Sequence, residues 1–290
     1  MNIKRCKEMI YTIKNEKLVV SVDSYGAEAV SVIANGKEWI WQNSTGDWAG
    51  HSPILFPVCG HFGVTVNGKS YPIGAHGFVR KTECTLSSIG DDYIDFLIEA
   101  NDATKAVYPF DFTLHIIYRI SGANLTVEYV VENPSDMPLY FACGSHESYA
   151  LDRNVDGYEL VFEKEEEFVH YYHDDGGYLT GETKNFGSGK AFALPRDFLQ
   201  NSATLIFKNI KSREVFLCQK GGRALAKAHF DGFANLLLWR AGDSPFICIE
   251  PWTNLPDFAG EADKEFATKE GVIEVAPKSV KRMTHSVEYL

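Results

Sequence analysis

His76, His146 and Glu250 are the residues of this chain best suited to moving protons. They lie in Ala75-His76-Gly77-Phe78-Val79-Arg80, Gly144-Ser145-His146-Glu147 and Phe246-Ile247-Cys248-Ile249-Glu250-Pro251-Trp252. Two imidazoles and one carboxylate can pass protons to and from an oxygen without a metal, a cofactor or a covalent intermediate. Alternation along Phe246–Glu250 sets Ile247 and Ile249 on one face, with Phe246, Cys248 and Glu250 on the other. A carboxylate ending an apolar strand must reach water, a partner or a ligand, because an isolated buried charge is costly. Taken singly, each residue also has an ordinary structural reading: a solvent-facing strand end for Glu250, a loop histidine for His76, a surface charge pair for His146 and Glu147.

The elements that must position them are strands. From Phe110 to Ile120 the residues Phe110, Phe112, Leu114, Ile116, Tyr118 and Ile120 share one parity, and Leu125, Val127, Tyr129 and Val131 repeat the pattern. A period of two marks half-buried antiparallel strands. Further strands are expected at Leu18–Asp23, Ala27–Ile33, Glu38–Trp41, Thr82–Ser87, Tyr93–Glu99, Leu139–Cys143, Tyr158–Glu163, Thr204–Lys208, Val215–Gln219, Leu236–Trp239, Phe246–Glu250 and Val280–Val287. Turn signals separate them: Asn35-Gly36, Asn67-Gly68, Gly90-Asp91-Asp92, Ser121-Gly122 and Asn133-Pro134. No helical period exceeds about two turns. The expectation is an all-β chain, a large antiparallel sandwich or barrel, with residues 1–290 as one domain and no fixed-period repeat. His173–Gly189 has no apolar pattern and reads as a long loop. The cluster His170, Tyr171, Tyr172, His173, Asp174 and Asp175 reads as an exposed loop end more than as a metal site.

Composition excludes several function classes. The 290 residues are 45% hydrophobic and 23% charged, with a formal net charge of −11. No run of Lys or Arg exceeds two residues, so the basic footprint for nucleic acid or an anionic membrane is missing. The six cysteines, Cys6, Cys59, Cys84, Cys143, Cys218 and Cys248, form no CxxC pair. That disfavours zinc and thioredoxin-type chemistry, and several of them sit in apolar runs as small hydrophobes. Met1–Glu8 lacks the apolar stretch of a secretory signal, and no apolar run reaches membrane-spanning length. A cytoplasmic protein with reduced thiols is expected, with no metal and no cofactor; self-association is left open. Gly187-Ser188-Gly189-Lys190-Ala191 fails as a phosphate loop, and GxGxxG, GxSxG and HExxH are missing.

Taken together and in order, the segments resemble the aldose 1-epimerase (galactose mutarotase-like) family. They are most similar to its bacterial branch related to the product of a lactose-operon accessory gene. The resemblance rests on Ser52-Pro53-Ile54-Leu55-Phe56-Pro57-Val58-Cys59-Gly60, on Asn67-Gly68-Lys69-Ser70-Tyr71 followed by His76-Gly77-Phe78-Val79-Arg80, on Gly144-Ser145-His146, and on Cys248-Ile249-Glu250-Pro251-Trp252. It implies a galactose-mutarotase-type sandwich that binds an aldose. It further implies Glu250 as general base on the anomeric hydroxyl, His146 as general acid at the ring oxygen, and His76 as a hydrogen-bonding group near that oxygen. His61, Trp252 and Arg80 are candidates for substrate contact, Arg80 more readily as the partner of an internal carboxylate. Two departures stand out: His61 occupies the place of the family's usual Arg, and Glu147 that of its usual Pro. The alternatives are a non-catalytic carbohydrate-binding module on the same fold and a hexose-6-phosphate mutarotase. A glycosidase would need a second facing carboxylate, which the matched motifs lack.

Overall fold

A computed structural model describes residues 9–200 and 203–290; Cys6 and the Met1–Glu8 segment lie outside the described residues. Hairpins of alternating residues build the fold. Thr113–Ser121 and Asn124–Glu132 pair antiparallel, so that Leu114 meets Val131, Ile116 meets Tyr129, Tyr118 meets Val127 and Ile120 meets Leu125. All eight side chains are buried. Cross-strand pairs of this kind are the unit of sheet stability.

The main sheet has 13 strands among the described residues. From one edge it runs Glu147–Ala150, Phe246–Trp252, Asn235–Trp239, Leu205–Phe207, Tyr158–His173, Glu214–Gln219, Ala224–His229, Val280–Tyr289, Asn124–Glu132, Thr113–Ser121, Tyr93–Glu99 and Thr85–Ile89, with Leu179–Ala193 also on Tyr158–His173. A four-stranded sheet, Ile10–Lys14, Leu18–Asp23, Glu28–Ala34 and Lys37–Glu38, joins its core. The Tyr118 hydroxyl donates to the Ala27 carbonyl at 2.6 Å, and Tyr11 meets Phe96 edge-on. One hydrophobic cluster extends from Ile13 to Tyr289. The two α-helices among the described residues have four residues each. The all-β antiparallel expectation holds, and among the described residues no helix is long and apolar enough to cross a membrane.

The expected loop at His173–Gly189 is a strand instead. Leu179–Ala193 pairs with Tyr158–His173 across three register shifts. Of its 15 residues only Leu179 and Phe192 are buried. Both faces meet solvent, so nothing selects apolar residues, and the segment holds by backbone hydrogen bonds that leave no side-chain signature. The exposed loop end expected around the histidines holds at His173 and Asp175 and fails at His170. His170 is 1% exposed, its Nδ1 accepts the Ile206 N–H at 3.1 Å, and its ring meets Tyr172 and Phe198 edge-on. It is a packed core residue, not an exposed loop end.

Candidate active site

Strand pairing explains why His146 and Glu250 meet. Glu147 lies opposite Ile249 and Ser148 opposite Cys248. Gly144 bridges Trp252 in the same register, which places His146 directly across from Glu250. His146 Nε2 lies 3.3 Å from Glu250 Oε2. On the other side, Leu237 faces Glu250, Trp239 faces Cys248 and Asn235 faces Trp252. The carboxylate therefore sits between two apolar groups: Leu55, Cys59, Leu237 and Trp252 in one, Trp41, Phe246, Cys248 and Trp48 in the other.

Period-two alternation also separates His146 from its neighbour. Glu147 points to the opposite face, into the core, where its Oε1 lies 2.6 Å from His285 Nε2. It is neither a surface charge nor a direct partner of His146. Tyr129 fixes the incoming chain by donating its hydroxyl to the Gly144 carbonyl at 2.8 Å. Gly144 itself is required: a Cβ there would lie 2.6 Å from the Trp252 ring and 2.8 Å from Cys59 Sγ.

His76 arrives from a different part of the chain and adopts left-handed backbone, φ 63°. Its N–H donates to the Gly60 carbonyl at 3.0 Å, and the Gly60 N–H donates to His76 Nδ1 at 3.2 Å. With Nδ1 accepting, the neutral ring carries its proton on Nε2 and presents a donor. Gly77 makes the approach possible, since a Cβ on it would lie 2.0 Å from the Phe56 carbonyl oxygen. The His76 ring meets His146 edge-on at 5.8 Å and Trp252 at 5.2 Å. Trp252 donates Nε1 to the Ser145 carbonyl at 3.2 Å.

Burial sets the electrostatics. Glu250 is 1% exposed and its carboxyl is pushed well above the usual range, first by desolvation and then by the Glu147 charge. Burial lowers His146 to about 4. His76 falls well below its ordinary value, again mainly through burial, with His146 and Arg80 adding repulsion. Burial thus disfavours the charged form of both partners in the His146–Glu250 pair. Glu250 Oε1 and His146 Nδ1 are buried without hydrogen-bond partners.

Four of the six anticipated residues converge: His76, His146, Glu250 and Trp252. His61 is exposed and its ring is turned to Tyr178, 5.6 Å away, so near Gly177 that a Cβ there would lie 2.5 Å from His61 Cδ2. Arg80 donates Nη2 to the Ala75 carbonyl at 3.2 Å. Among the described residues it forms no ion pair, so the expected internal carboxylate partner is replaced by a carbonyl; Glu28 acts on it only through space. It lines a groove of about 880 Å³ with Glu28, His51 and Trp48.

Three further residues had drawn no functional reading. Trp48, carried by the segment that follows Trp41, stacks on His146 at 5.4 Å and 28°. Trp239 meets the same imidazole edge-on at 5.8 Å. Cys248, read as a small hydrophobe, is fully buried and also brings its sulfur to the site: ligand atoms of His146, Cys248 and Glu250 all lie within 4.8 Å of one another. Its place on the Glu250 face was written in the alternation of Phe246–Glu250; Trp48 carries no comparable signal.

The sequence model of the aldose 1-epimerase family matches residues 9–266. Chromosomal protein LacX of Lactococcus lactis subsp. lactis is 29% identical over 294 aligned positions, covering 93% of this chain and 98% of that protein. A galactose mutarotase related enzyme from Lactobacillus acidophilus superposes with TM-score 0.86 at 25% identity over 97% of each chain. A galactose mutarotase-like protein from Lactobacillus casei ATCC 334 gives TM-score 0.87 at 25% identity, covering 97% of this chain and all of the other.

Proposed function

This chain belongs to the aldose 1-epimerase family, and on that premise we propose that it interconverts the α and β anomers of an unphosphorylated hexose or related aldose, without a cofactor. The reading is carried by the pairing of His146 with Glu250, 3.3 Å apart in a buried site. As carboxylate, Glu250 takes the proton of the anomeric hydroxyl, while His146, now imidazolium, gives one to the ring oxygen as the C1–O5 bond breaks. The aldehyde turns about C1–C2 and recloses on its other face, with both transfers reversed. Burial makes the Glu250 carboxylate a stronger base and the His146 imidazolium a stronger acid than either would be in water. His76 Nε2–H serves as a donor to a sugar oxygen, and Trp252 as the apolar wall.

The lysines that line the 230 Å³ cavity beside Asp257 give no support to a phosphorylated sugar, since each already pairs with a carboxylate: Lys208 with Glu270, Lys264 with Glu261, Lys269 with Asp257. Glycoside hydrolysis is disfavoured because Glu147, the next carboxylate in the motif, faces the core. The five described cysteines are all free, which suits a reducing, cytoplasmic setting.

One observation favours a second reading, a sugar-binding module without turnover: Glu250, against His146, is only 1% exposed. Polarimetry with freshly dissolved aldoses separates the two. Turnover of at least one sugar supports the epimerase; measurable binding with no acceleration for any sugar supports the module.

A further inference from the structure

We propose that His146, Cys248 and Glu250 form a zinc-binding site, through which zinc reversibly blocks the chain's own reaction. Three ligand-bearing side chains come from two adjacent strands and point to one spot. The His146 Nε2 to Glu250 Oε2 separation of 3.3 Å matches the edge of a tetrahedron with metal–ligand bonds of about 2.0–2.1 Å. The Cys248 sulfur, within 4.8 Å of both ligand atoms, needs about 1 Å of adjustment to take the third vertex at about 2.3 Å from the metal. Three protein ligands leave a fourth position for water or a sugar hydroxyl.

The charge balance favours a dication in this buried place. Zinc takes Cys248 as thiolate, Glu250 as carboxylate and His146 as neutral imidazole, and the protons these groups carried leave to the buffer. Thiolate, carboxylate and neutral imidazole then offset the two positive charges, so no net charge is buried. The unpartnered Glu250 Oε1 marks unused ligand capacity in the same pocket. A mixed sulfur, nitrogen and oxygen set suits zinc and cobalt and disfavours magnesium or calcium.

Binding is independent of the proposed activity, whereas the block rests on it, so the test has two arms. In the first, cobalt chloride is added to the purified protein and thiolate-to-cobalt charge-transfer absorption is recorded. Calorimetry with zinc chloride in buffers of different ionisation enthalpy counts the protons released. The expected results are one metal per chain, proton release on zinc binding, and loss of the charge-transfer band in Cys248→Ala and in the nearly isosteric Cys248→Ser. In the second arm, zinc suppresses anomer interconversion by the wild type, chelator restores it, and the zinc sensitivity of each Cys248 variant, measured against that variant's own zinc-free rate, is reduced by about tenfold or more. Absence of metal binding on the order of 100 μM, or a cobalt spectrum unchanged in both Cys248 variants, overturns the site. A charge-transfer band in a protein that turns over no sugar upholds the site and defeats the epimerase reading instead. Turnover unaffected by bound zinc overturns the block.

Discussion

Glu147 lies one residue from His146 yet faces the opposite way, and replacing it tests whether strand alternation governs this site. In Glu147→Gln the Oε1 contact to His285 Nε2, 2.6 Å in a pair whose side chains are 9% and 3% exposed, loses its charge. Losing a buried hydrogen bond to a charged group costs about 1.5–3 kcal/mol. With an unfolding entropy of about 2.1 cal/mol/K per residue, this chain loses about 0.6 kcal/mol of stability per degree near its midpoint, so Tm falls by about 2–5 °C. The pH dependence carries a sign. Desolvation raises the Glu147 carboxyl, but the His285 charge and hydrogen bond outweigh it, so the folded value lies below the ordinary glutamate value. The stabilisation is therefore present above that value and is lost as pH falls through the folded one. Scanning calorimetry of both proteins across the acid range measures this: the Tm gap is full near neutrality and closes toward low pH. Turnover well below Tm stays within about tenfold, since Glu147 does not face the substrate. A Tm unchanged near neutral pH, or an activity loss as large as that from replacing Glu250, refutes the placement.

Three further outcomes follow from the same geometry. The rate of anomer interconversion against pH is bell-shaped: below about 4, His146 takes a second proton and no base remains. Above the raised value of Glu250 the pair loses its one proton and no acid remains, so the alkaline limb lies well above the ordinary carboxylate range. Trp48→Ala removes the stack on His146, which at about 0.5–1.5 kcal/mol lowers kcat about 2- to 12-fold, with Trp48→Phe recovering most of it; steady-state kinetics reads the split between kcat and KM. Gly77→Ala forces a Cβ against the Phe56 carbonyl at left-handed φ, 71°, and is expected to unfold the His76 loop or the chain, seen as lost near-ultraviolet circular dichroism and soluble yield.

Much of the architecture was written in single-residue alternation, because a half-buried strand must place Leu114, Ile116 and Tyr118 on the same side to fill the core. Leu179–Ala193 was not legible for the complementary reason: its side chains are solvated on both faces, so its strand character lies in backbone bonds alone. The motif segments located His76, His146 and Glu250, and the Phe246–Glu250 pattern already assigned Cys248 to the carboxylate's face. What it could not supply was the partner strand, which brings His146 opposite Glu250 across about a hundred residues of intervening chain. Trp48 was illegible altogether, since its place over His146 depends on an irregular segment anchored through the Thr45 and Asp47 side chains to the Ser244 hydroxyl. Arg80 misled because a lone cation near a motif suggests a carboxylate partner, while the fold offered it the Ala75 carbonyl.

The most direct test is the interconversion rate of Glu250→Gln, followed by polarimetry or proton NMR on the sugar that the wild type turns over best. The amide keeps the shape of the side chain but cannot accept and return a proton. A rate lowered by about 10²–10⁴-fold with sugar affinity nearly unchanged is the predicted result; a rate within about threefold of wild type would contradict the proton relay between Glu250 and His146.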